Sequence, residues 1–568
     1  MRQKMLLDGV WDFHYSSEEF IGIPESFTES LPVPSCYDLV EPYCGVRGCG
    51  VYRRFVECGG MARLCIEGLG ITARIYWDRR IIKECPYTYM PEEIIFDAGD
   101  EGCHELVIAV DNRHNEQFRP NFDFYGYGGI YGSIFIERLP NPWIEQILVS
   151  TEDYTCGKIR IQASIAGKND HEAVLIFDQK EAVNVCFEKG GLDIQLNVPN
   201  YRLWSPEEPN LHELTIKAAN DQRSVVFGIR AFSTHGRQIL LNGKPIKLFG
   251  YNRHESHPEM GAATPLQLIA ADLRMIKAQG CNFIRGSHYP QRRSFLDLCD
   301  RMGIMVWEET MSWGTRAPEL HSKEFIDAQI EQARKLTYAS FNHPCIAIRG
   351  FMNENDSSLP ETRKVVKTLY ETIRSIDKHC LISFASNRYE QDVCTDLVDV
   401  VGMNPYPGWY DSSFDSISTV DKVFPRLQKL SAALPQDKPF LITEIGCEAL
   451  LGFRDRLKAR WTEEYQAKVL LEVCRYVFSS EECAGVAIWL FADCRSFING
   501  PSIYARARGF NNKGVLDEYR HPKLAWNSIA EFLQNVTKDD QENIDHTYES
   551  VIGAKFTGGL SNVPAETR

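Results

Sequence analysis

The sequence predicts a multidomain chain: an N-terminal jelly-roll β-sandwich, an immunoglobulin-like β-sandwich and a C-terminal (β/α)8 barrel. Three observations carry this. The chain of 568 residues is too long for a single hydrophobic core. Up to about residue 235, short β-branched and aromatic runs recur between turn residues with no sustained helical period. Beyond that point strand-like runs alternate with amphipathic helical ones, about eight times within roughly 300 residues.

Residues 1–142 form the first unit. GVYRRFVE, RLCIEG, ARIYWD and HELVIAVDN are short, β-rich and broken by Gly, Asp or Asn, as a jelly roll requires. Within it FDFYGYGGIYG, residues 122–132, is a Gly- and Tyr-rich loop with a single carboxylate, Asp123. Residues 143–235 restart the pattern with KIRIQASIAG, EAVLIFD, LDIQLNV, HELTIKAA and SVVFGIR, the spacing of a small sandwich. Its WSPEEPNL turn is stiffened by two prolines, and the unit reads as a spacer without chemistry. Residues 236–535 carry the barrel. In PLQLIAADLRMIKAQG, Leu266, Leu268, Ile269, Leu273 and Ile276 are expected on one helix face, with Gly280 closing it. Residues 536–568 hold little apolar material and read as an extended C-terminal tail.

Bulk composition narrows the function. Apolar content of 44% and charged content of 24% are those of a soluble globular protein. A net charge of −15 argues against nucleic acid or an anionic membrane as partner. The N-terminus lacks a secretory apolar region, and no window reaches the roughly 18 apolar residues of a membrane span. Eighteen scattered cysteines without a CxxC pair point to reduced thiols. A cytoplasmic location is the expectation.

In a barrel of this type the residues just past each strand line the site. Here they are His254 and Glu255, Arg285 and His288, Glu308 and Glu309, Asn353 and Glu354, Asn404, Tyr406 and Tyr410, Glu444, and Trp489. Carboxylates, amides and aromatic rings together suit a carbohydrate. CIAIRGFMNEN places Glu354 at the end of the fourth strand, and KPFLITEIGCE places Glu444 at the end of the seventh. A single glutamate after a strand can be a helix cap or a surface charge; two at matched positions define a pair. Cleaving a glycosidic bond needs a proton for the leaving oxygen and an anion at the developing oxocarbenium, and retaining enzymes hold those carboxyls about 5 to 5.5 Å apart. Strands four and seven can meet that spacing, and Asn353 would place an amide donor at the sugar 2-hydroxyl.

WSPEEPNL, FGIR, FGYNRHE, IRGSHYP, WEE, MNEN and ITEIG, in this order, resemble glycoside hydrolase family 2 over residues 1 to about 535. The resemblance implies a retaining double displacement with Glu354 as acid/base and Glu444 as nucleophile. Within the family, GFNNKG resembles the Asn-x-Lys pair of β-glucuronidases of gut-bacterial type, implying that Asn511 and Lys513 hold a sugar carboxylate. An ammonium and an amide form charge-assisted bonds that a neutral sugar would leave unmade. The resemblance further assigns substrate contacts to Asp123, His288, Asn404, Tyr406 (near the nucleophile), Tyr410 (near the carboxylate) and Trp489.

Two departures stand out. The arginine often found four residues before that asparagine is Ala507 here, with Arg506 and Arg508 on either side; Arg508 is taken as a candidate site residue. The segment MSWGTRAPELHSKEF is short where some relatives insert a long loop over the site. An open mouth follows, with tolerance for large or glycan-linked glucuronides and slow turnover of small aryl ones. The chemistry implied requires no cofactor and no metal. Non-catalytic flavin mononucleotide (FMN) occurs in some relatives, without a residue-level signal in this sequence. Expected partners are glucuronide small molecules or glucuronate-containing glycans, and a homo-oligomer is expected. The alternatives are a β-galacturonidase or dual enzyme, a neutral-sugar β-galactosidase or mannosidase, and a non-enzymatic carbohydrate-binding protein.

Overall fold

A computed structural model describes residues 2–18, 20, 22–87, 89–113, 125–410, 417–496, 506–536 and 541–556. The N-terminal unit is a sandwich of antiparallel sheets. One has four strands in the order Gln3–Leu6, Ile134–Arg138, Met61–Ile66 and Glu92–Asp97, and its partner has six. Period-two alternation sends Trp11, Phe13, Leu64, Ile75, Leu106 and Ile136 into one shared core. Tyr125, Tyr127 and Tyr131 of the glycine-rich loop are buried with Tyr289 and Met311 of the barrel, so this loop is an interface. Its Gly129 has φ +130°, and an added Cβ would lie 2.5 Å from the Ser35 carbonyl oxygen; only glycine fits there. Asp123 lies outside the described residues.

The second sandwich packs a three-stranded sheet, Ile144–Asp153 with Lys158–Ile165 and Gly191–Asn197, against a four-stranded one ending at Asp221–Phe227. Its motifs join it to the barrel. Buried Trp204 donates its indole N–H to the Asp300 carbonyl oxygen at 2.8 Å. Arg230 donates to the carbonyl oxygens of Pro344 at 3.2 Å and Ile346 at 3.1 Å, at the start of a barrel strand.

The barrel is closed and parallel, in chain order. Its strands are β1 (Leu248–Asn252), β2 (Phe283–Gly286), β3 (Met305–Glu309), β4 (Ile346–Asn353), β5 (Leu381–Ser386), β6 (Val401–Met403), β7 (Phe440–Ile442) and β8 (Cys483–Ile488). All eight are buried along their whole length, as parallel strands under a helical layer must be. The helices are α1 (Leu266–Ala278), α2 (Arg293–Met302), α3 (Lys323–Ala339), α4 (Thr362–Ile376), α5 (Val423–Ala433), α6 (Glu463–Ser479), α7 (Leu524–Asn535) and α8 (Gln541–Phe556).

Two expectations change. In α1 the buried face is Ile269, Asp272, Leu273 and Ile276, while Leu266 is exposed at the first turn. Asp272 takes its place inward because it pairs with Arg253 at 3.0 Å and Arg520 at 3.1 Å. The stretch read as an extended tail contains helix α8. Ile544, Tyr548 and Val551, spaced four and three residues apart, are buried in the barrel cluster with α6 and α7. Three apolar residues at helical spacing suffice when a partner face exists. No disulfide joins any of the eighteen cysteines, and among the described residues no helix is long and apolar enough to cross a membrane.

Candidate active site

The C-terminal ends of the barrel strands converge on one buried polar network, with Arg285 of β2 as its hub. Its Nη1 donates to Glu444 Oε1 at 2.7 Å, and its Nη2 donates to Glu309 Oε1 at 2.9 Å and Asn353 Oδ1 at 2.8 Å. These carboxylates keep the buried guanidinium charged and raise its pKa against the cost of burial.

Glu354 follows β4 with φ +53°, and its backbone N–H donates to the Ala385 carbonyl oxygen at 2.9 Å. Asn404, just past β6, donates through Nδ2 to Glu354 Oε1 at 2.9 Å and to Asn353 Oδ1 at 3.2 Å. Thr443 Oγ1 donates to Asn404 Oδ1 at 2.6 Å, fixing that amide's orientation. Because Asn353 Oδ1 takes two donors, Asn353 Nδ2 is its donor end. That nitrogen is buried without a hydrogen-bond partner among the described residues, an arrangement that calls for a ligand acceptor.

Glu444, past β7, is 5% exposed. Besides Arg285 it accepts the Tyr406 hydroxyl at 2.8 Å. His288 Nδ1 is bonded to Glu309 Oε1 at 2.8 Å, while its Nε2 stands 3.8 Å from Glu444. Burial and the neighbouring Glu354 charge push the Glu444 carboxyl up to about 7, against the pull of Arg285 and His288. Gly446 allows the close approach of the β8 end, since a Cβ there would lie 1.9 Å from the Trp489 carbonyl oxygen. The His288 ring is stacked between Trp489, at 5.2 Å and 17°, and Trp313, at 6.0 Å and 4°. His254 meets Trp489 edge-on at 5.3 Å, and burial lowers its pKa so that it stays neutral.

Lys513 is 1% exposed. Its Nζ lies 6.0 Å from the Tyr406 ring centre, 5.9 Å from Trp409 and 5.2 Å from Tyr410, and 3.3 Å from Glu448 Oε1. Tyr406 therefore bridges the two halves of the site: its ring faces the ammonium and its hydroxyl touches Glu444. Asn511, fully buried, accepts the Lys513 backbone N–H through Oδ1 at 3.3 Å. Tyr410 is 62% exposed and forms the outer edge. Arg508 is turned to Glu518 at 2.7 Å and Asn512 at 2.9 Å, whereas Arg506 reaches Glu448.

The network thus includes Glu354, Glu444, His288, Asn353, Asn404, Tyr406, Tyr410, Trp489, Asn511 and Lys513. Sequence reasoning missed Glu448, Trp313 and Thr443. Glu448 lies one helical turn's spacing after Glu444 and could have been flagged as a buried counter-charge for Lys513; Trp313 sits in a loop with no pattern. Among the described residues one cluster could hold a metal: ligand atoms of Asp300, His343 and Cys345 lie within 4.8 Å of one another. It is at the opposite end of β4, and its members already bond each other, His343 Nδ1 to Asp300 Oδ2 at 2.6 Å and the Cys345 N–H to Asp300 Oδ1 at 2.9 Å.

Comparison with known proteins places the chain in a family. The family model described as "Glycosyl hydrolases family 2, TIM barrel domain" matches residues 232–537, and "Glycosyl hydrolases family 2" matches residues 146–230. A β-glucuronidase of Sus scrofa is 29% identical over 459 residues, covering 78% of this chain and 68% of its own. A solved β-galacturonidase from Eisenbergiella tayi, bound to galacturonate, is 31% identical with a TM-score of 0.87, covering 94% of this chain and 98% of that one. A β-glucuronidase of Faecalibacterium prausnitzii, 24% identical, shares the fold at a TM-score of 0.85, with 94% and 98% covered. The chain belongs to glycosyl hydrolase family 2.

Proposed function

We infer that this chain is a retaining β-glucuronidase. The observation that carries the reading is the bridge made by Tyr406, which sets a buried ammonium and the Glu444 carboxylate against one side chain. That is the arrangement needed to grip a C5 carboxylate while an anion attacks the anomeric carbon. In the first step Glu354 gives its proton to the glycosidic oxygen as the Glu444 carboxylate bonds to C1, releasing the alcohol. In the second, Glu354 takes a proton from water, whose oxygen bonds to C1 and frees Glu444. The Asn353 Nδ2 donor faces the sugar 2-hydroxyl, a contact that strengthens as charge develops at C1. His288 and Tyr406 hold Glu444, Trp489 forms a wall, and Asn511 and Lys513 bind the carboxylate, with Tyr410 at its edge. Catalysis in this family needs no cofactor. Arg508 is left out of the site, because Glu518 holds it.

A second reading, β-galacturonidase, is favoured by the likeness to the E. tayi enzyme at 31% identity. The two uronic acids differ at one hydroxyl, which the ammonium does not read. Release of 4-nitrophenol from the glucuronide and the galacturonide, in wild type and in Glu354→Ala and Glu444→Ala, tests both. Hydrolysis of either that both variants abolish supports the mechanism; no hydrolysis in wild type leaves a binding protein.

A further inference from the structure

Two arginines flank the segment from Glu354 to Asp356, on the loops after the neighbouring strands β3 and β5. Arg316 belongs to the loop after β3, and its Nη1 donates to the Glu354 carbonyl oxygen at 3.0 Å. Arg388 belongs to the loop after β5, with Nη2 3.6 Å from Asp356 Oδ1. In the closed order of the barrel, the loops after β3, β4 and β5 are consecutive, across the ring from the loops after β7 and β8 that carry Glu444 and lead to Lys513. The loops are fastened together: the Thr315 N–H donates to Asn355 Oδ1 at 3.2 Å, and the Asp356 N–H to the Thr315 carbonyl oxygen at 3.2 Å.

Asp356 faces both arginines and Glu354 also faces Arg316, yet their side-chain hydrogen bonds leave donors over. The hydrogen bond from Arg316 Nη1 goes to a neutral carbonyl. Arg388 Nε is buried without a hydrogen-bond partner among the described residues. The two guanidiniums are close enough that Arg388, after burial, lowers the Arg316 pKa. Asp356 and Glu354 offset part of that repulsion, and the Arg316 pKa still lies below its ordinary value, so a further anion would relieve it. Tyr389, whose hydroxyl donates to the Asn404 carbonyl oxygen at 3.3 Å, ties the loop of Arg388 to the strand end that carries Asn404.

We propose that Arg316 and Arg388 form the subsite for the departing group, and that it takes an anionic saccharide bearing a carboxylate or sulfate near the glycosidic oxygen. This rests on the reading of Glu354 as proton donor, because the departing oxygen must lie within reach of that carboxyl.

Matched aryl uronides test it: the 4-carboxyphenyl and 4-sulfophenyl glycosides against the neutral 4-(methoxycarbonyl)phenyl one, made as glucuronides and galacturonides. The quantity read is the kcat/KM ratio of each charged substrate to the neutral one, in wild type, Arg316→Gln, Arg388→Gln and the two Arg→Lys variants. Comparing ratios between proteins cancels leaving-group reactivity and any general loss from misfolding. The expected wild-type ratio exceeds that of either Gln variant by roughly five- to twenty-fold at low ionic strength, is retained in the Lys variants and shrinks in high salt. The arm with the larger ratio identifies carboxylate or sulfate. A ratio unchanged by both Gln substitutions, with hydrolysis intact, overturns the subsite alone. Absence of hydrolysis of every uronide in wild type overturns the glycosidase reading and the subsite with it.

Discussion

At Glu444 opposing forces meet on one carboxyl. Burial and the Glu354 charge favour its proton, while Arg285 and His288 favour the anion, and the balance lies at about 7. A folded-state pKa raised above the ordinary value of 4.5 contributes stability at low pH that is lost as pH climbs through 7. Glu444→Gln is therefore expected to melt above wild type at pH 8, by a stability gain on the order of 2–3 kcal/mol, and near wild type at pH 5. Thermal denaturation at the two pH values checks this; a variant that melts below wild type at pH 8 contradicts it. The same coupling predicts kinetics. Removing the neighbouring charge in Glu354→Gln lowers the Glu444 pKa, so the acidic limb of kcat/KM moves to lower pH on a substrate whose leaving group needs no proton. On a poor leaving group the variant should lose about 10²- to 10⁴-fold in kcat, the worth of a general acid. Among single residues, the glutamate pair and Asn-x-Lys were legible because strand ends and short motifs mark them. Glu448, Trp313 and the turning of Arg508 to Glu518 and of Arg506 to Glu448 were not, since side-chain direction in an irregular loop leaves no periodic trace.

At the scale of elements, strand bodies were easy to read because a parallel barrel strand is apolar throughout and its polar end is abrupt. Helix faces were harder. In α1 a buried aspartate outranks an apolar residue because Arg253 and Arg520 are there to meet it, and those partners are distant in sequence. Helix α8 escaped notice for a related reason: its stripe of Ile544, Tyr548 and Val551 is diluted by charged neighbours and gains meaning only against α6. Tyr548 also hydrogen-bonds Glu472, and Arg475 pairs with Asp545 at 2.7 Å. Tyr548→Ala should destabilise the protein by about 2–4 kcal/mol, with KM for a uronide unchanged because α8 packs against α6 and α7. Denaturant unfolding together with steady-state kinetics tests the separation; an unchanged midpoint would show that α8 is not docked.

For the molecule as a whole, the order of two sandwiches and a barrel followed from length and from the change of periodicity near residue 236. How the parts join did not. Trp204 on Asp300, Arg230 on the start of β4 and the tyrosines of the glycine-rich loop against Tyr289 make the sandwiches a brace for the barrel. We propose that the short segment between β3 and α3 leaves the mouth open; glucuronides attached to oligosaccharides should then have a higher kcat/KM than small aryl glucuronides. A strong preference for the small aryl substrate would contradict that.

We propose that a buried ammonium beside the glutamate pair selects uronic acids. The direct measurement is 4-nitrophenol release from the glucuronide, galacturonide and galactoside, side by side, in wild type and Lys513→Ala. Wild type is expected to cleave a uronide far faster than the galactoside, and Lys513→Ala to lose at least about 10²-fold in kcat/KM on that uronide while its slow galactoside rate changes little. Equal losses on all three substrates, or a wild type that prefers the galactoside, would contradict it.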